Sequence, residues 1–229
     1  MKTIAIITAR GGSKRIPKKN IRDFCGKPII AYSIEAAKKS NLFDEIMVST
    51  DSDEIARISE RYGAKVPFMR SMKTSDDFST TFDVIEEVIN KYNENKINFD
   101  LICCIYPTAP FITAGKINEA YKMIDDSTDG VMLVTKYSHP PQRGLIVNNS
   151  FVQYSEPKNR NIRSQDLPPI YFDCGQFYFV KTNSFIKNKS LVCPNTKALI
   201  IDELEVQDID NEIDWKIAEI KYKMWSEKK

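Results

Sequence analysis

The stretch TIAIITARGGSKRIPKKN, residues 3–20, decides the fold: an Ile-rich run breaks off at two glycines and gives way to five basic side chains. Its first seven residues, TIAIITA, read as a short strand buried on both faces, as inside a parallel sheet. PIIAYSIEAAKKS (28–40) then opens on Pro28, which a helix tolerates in its first turn. It sets Ile30, Ile34 and Ala37 on one face before DEIMVST (44–50) resumes a strand. That is one βαβ unit, and the alternation continues with a helix over 53–62 stopped by Gly63, a strand KVPFM (65–69) and a helix over 80–93. Strand DLICCIY (100–106), a helix over 114–125 and strand GVMLVTK (130–136) follow. Such a series predicts a three-layer α/β sandwich. From Tyr137 the period breaks: two β-like runs flank NNS (148–150), and a polar, proline-containing stretch, KNRNIRSQDLPPIYFD (158–173), comes after them. This predicts an arm beyond the main sheet. The chain returns with strand GQFYFVK (175–181) and closes with a helix over about 211–225, apolar at Ile213, Ile217, Ile220 and Met224.

The 229 residues suit a single α/β domain, and 42% hydrophobic with 28% charged residues is the composition of ordinary globular proteins. The formal net charge is only +2, yet residues 1–22 hold seven Lys or Arg and no acid, while residues 202–214 hold seven acids and no base. Five cysteines (Cys25, Cys103, Cys104, Cys174, Cys193) lack metal-ligand spacing and cannot all pair, which points to a reducing, cytoplasmic setting. No apolar stretch reaches the ~20 residues that span a bilayer, so no membrane role is expected.

In open α/β sheets ligands bind beyond the carboxyl ends of the strands, and Arg10, Gly11, Gly12, Ser13, Lys14 and Lys19 fall there. Glycines let backbone N–H groups approach oxygens, and the neighbouring cations suit a multiply charged phosphate. The motif is neither GxxxxGK[ST] nor GxGxxG, and Pro17 delays any helix, which argues against a P-loop NTPase or a dinucleotide binder. A solvated basic loop is the plain alternative; a nucleic-acid patch lacks interleaved aromatics. In VQDIDNEID (206–214), Asp208 and Asp210 point to the same face of an extended segment, a geometry for a hard divalent cation such as magnesium. Alternatively Asp210 or Asn211 caps the last helix, with Glu212 and Asp214 in its first turn.

ARGGSKRIPKKN resembles the nucleotide-binding signature of the nonulosonic acid cytidylyltransferases, which make CMP-sialic acid and its relatives. VSTDSDEIA, VPFMR, STTFDVIEEV, YPTAPFI, RSQDLPPIYFDCGQFY and VQDID follow in that family's order. KRIPKKN with YPTAPFI looks most like the pseudaminic acid branch, whose product feeds bacterial surface and flagellin glycosylation. The resemblance implies an α/β/α Rossmann-like nucleotidyltransferase fold (glycosyltransferase-A-like) with a mostly parallel sheet, one domain over 1–229 and a dimerisation arm at about 137–170. It implies a homodimer acting on CTP and a nonulosonic acid. By resemblance, Arg10, Gly11, Gly12, Ser13, Lys14 and Lys19 surround the triphosphate, with Lys14 and Lys19 stabilising the transferring phosphates. Asn20, Arg70, Thr80 and Tyr106 lie near the nucleotide, and Asp208 and Asp210 hold Mg2+. Arg163, Gln165, Tyr171, Asp173 and Gln176 match the acceptor-binding region, where an arginine fork suits a carboxylate.

Two positions depart from the sialic acid pattern. Tyr106 precedes PTAP where those enzymes commonly carry glutamine, so amide recognition does not carry over; Gln176 stands where they tend to have a small residue. His139, the one histidine, and Lys136 are weaker candidates for the sugar. The same chemistry on legionaminic acid, sialic acid or Kdo, transfer of a uridylyl or guanylyl group, and a nucleotide-binding module without catalysis are the alternatives.

Overall fold

The computed structural model describes residues 1–227. In chain order the strands and helices are β1 (Thr3–Thr8), β2 (Asp23–Phe24), β3 (Lys27–Pro28), α1 (Ile29–Ser40), β4 (Glu45–Ser49), α2 (Asp53–Tyr62), α3 (Thr81–Glu94) and β5 (Leu101–Ile105). They continue with α4 (Ala114–Lys122), β6 (Gly130–Lys136), β7 (Leu145–Asn148), β8 (Phe151–Tyr154), β9 (Tyr171–Lys181), α5 (Thr182–Asn188), β10 (Thr196–Ile200) and α6 (Glu212–Ser226).

The central sheet has the order β10-β6-β9-β5-β1-β4. β9 runs antiparallel to both β5 and β6, while the other pairs are parallel, so the sheet is mostly parallel as expected. The inner strands β1 and β5 are buried on both faces, and their alternate residues enter different cores. Ala5 and Ile7 of β1, with Cys103 and Ile105 of β5, meet Ile30, Ile34 and Ala37 of α1 and Ile117 of α4. Ile4 and Ile6, with Ile102 and Cys104, meet Ile85, Val88 and Ile89 of α3 and Phe185 of α5. These are the three layers, and they account for strands that read as continuous apolar runs.

Local signals explain the helix limits. Ser52 caps α2, and Gly63 ends it at φ +93°, a left-handed turn that favours glycine. Thr80 caps α3 through a reciprocal bond with Asp83, so the helix begins one residue later than the predicted 80. α4 ends at Lys122, short of the predicted 125, because the Asp125 carboxylate turns back to accept from Ser127 and Thr128.

Three expectations are corrected. KVPFM forms no strand: Lys65 alone bridges to Met47, and Pro67 cannot donate to a ladder. The elements β2, β3, α5 and β10 have no counterpart in the sequence reading. The predicted apolar face of α6 is turned outward, with Ile213 69% and Ile220 59% exposed and Ile217 and Met224 also exposed. The buried face is instead Trp215 and Ala218, which pack with Ile16, Phe24, Ile29, Tyr32 and Ile209 in a third core. Aromatic area decides this orientation, since Trp215 and Tyr222 both meet Phe24 edge-on at 5.5 Å. The hairpin of β7 and β8 forms as predicted, and it leaves Leu145, Ile146, Val147, Phe151 and Val152 exposed. Among the described residues no helix is long and apolar enough to cross a membrane.

Candidate active site

The loops following β1 and β5 and the segment between α2 and α3 converge on a cleft of about 470 Å³. One wall is cationic, formed by Arg10, Ser13, Lys14, Arg15 and Lys19. Arg70, Thr80, Thr81 and Tyr106 form the opposite wall, and Asp210 reaches the rim from the C-terminal segment. The third core brings these distant parts together. Ile16 and Ile209 are both buried there, so the basic loop and the acidic run are joined by the apolar residue that each contains. Lys19 completes the seam by donating from Nζ to the Ile209 carbonyl at 2.8 Å.

The ambiguity over Asp210 and Asn211 is resolved by hydrogen bonds. Asn211 is the cap of α6, its side-chain oxygen accepting from the amides of Ile213 (2.8 Å) and Asp214 (3.1 Å). Asp214 returns the bond by accepting from the Asn211 and Asp210 amides, each at 2.9 Å. Neither Asp208 nor Asp210 is needed as a cap. Asp208 is exposed, Ile209 buried and Asp210 half-buried, so the two carboxylates share the solvent side of an extended strip. Asp210 pairs with Arg15 at 2.7 Å, a partner that the sequence reading did not name. Burial lowers the pKa of the Lys19 ammonium, while Asp210 and Asp208 act in the opposite sense.

Among the described residues no group of three or more His, Cys, Asp or Glu could hold a metal. Two neighbouring carboxylates beside a cationic cleft nevertheless fit a magnesium ion of the kind that completes its shell with substrate phosphates and water.

The glycines act differently from the expectation. The Gly11 amide donates to Asp51 at 2.7 Å and the Ser13 amide to the Gly11 carbonyl at 2.9 Å, so two of the expected phosphate-facing N–H groups are engaged within the protein. A Cβ on Gly11 would stand 3.1 Å from Cβ of Ser52, a tight contact that would require a small shift of one of the two loops. Gly12 has open space around it. Asn20 is buried and donates to the Arg10 carbonyl at 2.8 Å, bracing the loop.

On the other wall, Arg70 is held by β4: its Nε donates to the Ser49 hydroxyl at 3.0 Å and its Nη2 to the Ser49 carbonyl at 2.6 Å. Burial pushes its pKa down to about 10, which still leaves it cationic at neutral pH. The Tyr106 hydroxyl lies 3.4 Å from that of Thr81. Glu87 of α3 fastens the segment after Arg70. Its carboxylate accepts from the Ser71 amide (2.9 Å), the Ser71 hydroxyl (2.8 Å), the Lys91 ammonium (2.7 Å) and the Thr74 hydroxyl. Burial opposes the charge, but the bonds from Lys91, Thr74 and Ser71 outweigh it and bring the carboxyl down to about 2.

The folded value lies below the ordinary 4.5, so this stabilisation is complete above about pH 4.5 and is lost as pH falls through about 2. Glu87→Gln should therefore cost about 1–3 kcal/mol at neutral pH. Urea unfolding should show the gap to wild type closing between those two pH values; a constant gap would remove the charge from the account.

The five residues matched to the acceptor do not line this cleft. Arg163 forks onto Asp166 (2.7 and 3.2 Å) at the exposed end of the arm, beside exposed Gln165. Tyr171 begins β9 and is exposed. Asp173 accepts from the Tyr178 hydroxyl (2.8 and 2.7 Å) and the Gly175 amide (2.9 Å). Gln176 is buried, its amide donating to the Glu205 carbonyl at 2.6 Å while its side-chain oxygen has no protein partner. His139 and Lys136 are exposed, with the His139 ring 3.3 Å from the Ser138 hydroxyl.

The cytidylyltransferase family model matches residues 4–194, which takes in both walls of the cleft and the whole arm. The chain belongs to the cytidylyltransferase family. It is 39% identical over 226 residues to a pseudaminic acid cytidylyltransferase of Campylobacter jejuni, covering 98% of this chain and 97% of the relative. A CMP-N,N'-diacetyllegionaminic acid synthase of Legionella pneumophila is 34% identical, with 96% and 95% covered. The solved structure of a CMP:2-keto-3-deoxy-manno-octonic acid synthetase complexed with CTP superposes with a TM-score of 0.71 at 18% identity. It covers 99% of this cytidylyltransferase and 100% of that chain, and it establishes the α/β nucleotidyltransferase fold.

Proposed function

We propose that this cytidylyltransferase joins CTP to pseudaminic acid, giving CMP-pseudaminic acid and pyrophosphate. The observation that carries the reading is the convergence in one cleft of Arg10, Lys14 and Lys19, the fixed Arg70, and Asp210, with Asp208 two residues before it on the same segment. The 39% identity to a pseudaminic acid cytidylyltransferase supports the choice of acceptor. In the reaction the anomeric hydroxyl of the acid attacks the α-phosphorus in line. A P–O bond forms as the bond to the β-phosphate breaks, pyrophosphate leaves with the electron pair, and the hydroxyl proton passes to solvent.

Negative charge grows on the departing phosphates, and in this reading Arg10, Lys14 and Lys19 stabilise it. Arg70, Thr80 and Tyr106 are assigned to the nucleoside end, and Asn20 braces the cation loop through the Arg10 carbonyl. Asp208 and Asp210 would hold magnesium, which when bound polarises the phosphates and lowers the pKa of the attacking hydroxyl.

Arg163, Gln165, Tyr171, Asp173 and Gln176 receive the acceptor in this reading, the arm doing so as part of a homodimer. A hairpin of two short strands with apolar residues exposed on both faces is marginal alone, which favours its packing against a second copy. Free thiols throughout suit a cytoplasmic enzyme that supplies an activated sugar for surface or flagellin glycosylation.

The test is pyrophosphate release with magnesium, comparing CTP with UTP and pseudaminic with legionaminic and sialic acids, with the product's mass determined. Turnover with CTP and pseudaminic acid is the expected result; preference for another acid would move the acceptor and keep the chemistry. A monomeric mass by light scattering in a fully active preparation would remove the arm from the acceptor site.

A further inference from the structure

An acidic side chain faces the cation loop across the cleft. Asp77 lies between the Arg70–Thr74 segment and α3, and its carboxylate bridges Arg10, at 2.8 Å, and Lys14. Arg10 also donates to the Asp76 carbonyl at 2.8 Å. The turn presenting Asp77 is built independently of these pairs. The Asp76 carboxylate accepts from the amides of Phe78 (3.0 Å) and Ser79 (2.7 Å) and from the Ser79 hydroxyl (2.6 Å). The Arg10, Lys14 and Asp77 side chains are 36%, 77% and 42% accessible, so solute anions reach the two cations and the pairs are exchangeable. Lys14 and Arg10 hold its carboxyl below the usual range, which keeps it anionic at neutral pH.

We propose that Asp77 is a displaceable stand-in for phosphate. It occupies the two cations that take the β- and γ-phosphates of CTP, gives way when the triphosphate enters, and returns to them as pyrophosphate departs. The inference rests on the assignment of Arg10 and Lys14 to the triphosphate. A triphosphate brings more charge and more oxygens than one carboxylate, and base and ribose contacts hold it in place. Pyrophosphate, once severed from the nucleoside, loses that anchorage and meets a tethered competitor at high effective concentration. Binding of any ligand that needs both cations is weakened by the fraction of time Asp77 covers them; a ligand that does not reach them is unaffected.

The test is calorimetric titration of wild type and Asp77→Asn with CTP, inorganic pyrophosphate and CMP, in low salt with chelator present. Asp126→Asn supplies the charge-matched control, because Asp126 is exposed and precedes β6 at the opposite end of the sheet. In Asp77→Asn the Kd values for CTP and pyrophosphate should fall by the same factor, about 3- to 10-fold on the scale of two exposed ion pairs. CMP and the control should not change, and pyrophosphate should become the stronger product inhibitor.

Unchanged or weakened binding of CTP and pyrophosphate would overturn the proposal, the latter making Asp77 a positioning residue for the cations. An equal gain for CMP would overturn it in favour of a general field effect. Wild type that binds pyrophosphate but not CTP would sink the nucleotide assignment, while the pyrophosphate comparison still judges Asp77. Binding of neither ligand by either protein would overturn both.

Discussion

Replacing Asp208 and Asp210 together by alanine is expected to lower kcat by about 10³-fold or more while leaving the fold intact, the scale on which a preorganised charge stabiliser acts. The fold should survive because neither carboxylate supports it: Asn211 and Asp214 cap α6, and Ile209 keeps its place in the third core. The ion pair lost among the described residues, Arg15 with Asp210, has 70% and 43% accessible side chains and contributes at most about 1 kcal/mol. Catalysis should not survive, because the two carboxylates supply the negative charge that a magnesium–triphosphate complex requires beside the cationic wall. Pyrophosphate release with CTP and magnesium, set beside a urea unfolding curve, separates the two effects. Asn211→Ala is the contrasting control: it removes the cap, costs about 1 kcal/mol and should keep kcat within a few-fold. Full turnover by the double variant would take the aspartates out of the mechanism.

Much of this site was legible because its elements follow short-range rules. A consecutive apolar run ending in Gly11 and Gly12 marks a buried strand whose carboxyl end faces ligand, and Asp208 and Asp210 share a face at any extended backbone. The pairings across the cleft were not legible. Asp77 meets Arg10 from 67 residues away, and Arg15 meets Asp210 only because Ile16 and Ile209 enter one core. Periodicity along α6 also misled. Its isoleucines satisfy the helical spacing as well as its aromatics do, and tertiary packing against Phe24 selects the aromatic face. β10 is a short TKALI segment at the sheet edge with Ile200 exposed, too short and too mixed to stand out. Gly11 lies in the loop expected of it, but its amide is engaged by Asp51 and its Cα side faces Ser52 closely, neither of which local sequence shows.

The third core makes a second large effect testable. Trp215 is 1% exposed, meets Phe24 edge-on and carries the Arg22 guanidinium 4.7 Å above its ring. Trp215→Ala should cost about 3–5 kcal/mol, because little of a cavity that size can collapse among rigid aromatic neighbours. Stability is not the only expected loss. Ile16 and Ile209 pack in the same cluster, so a void there loosens the joint that sets the cation loop against the Asp208–Asp210 strip. The variant should consequently need several-fold more magnesium for half-maximal activity under conditions where it remains folded, on the scale by which outer-shell support alters metal affinity. Trp215→Phe, which keeps an aromatic ring against Phe24, should recover most of both properties. Magnesium titrations of pyrophosphate release, run well below the unfolding transition, distinguish the joint from mere loss of folded protein. A destabilised Trp215→Ala enzyme with an unchanged magnesium requirement would show that the core supports the chain without setting the site.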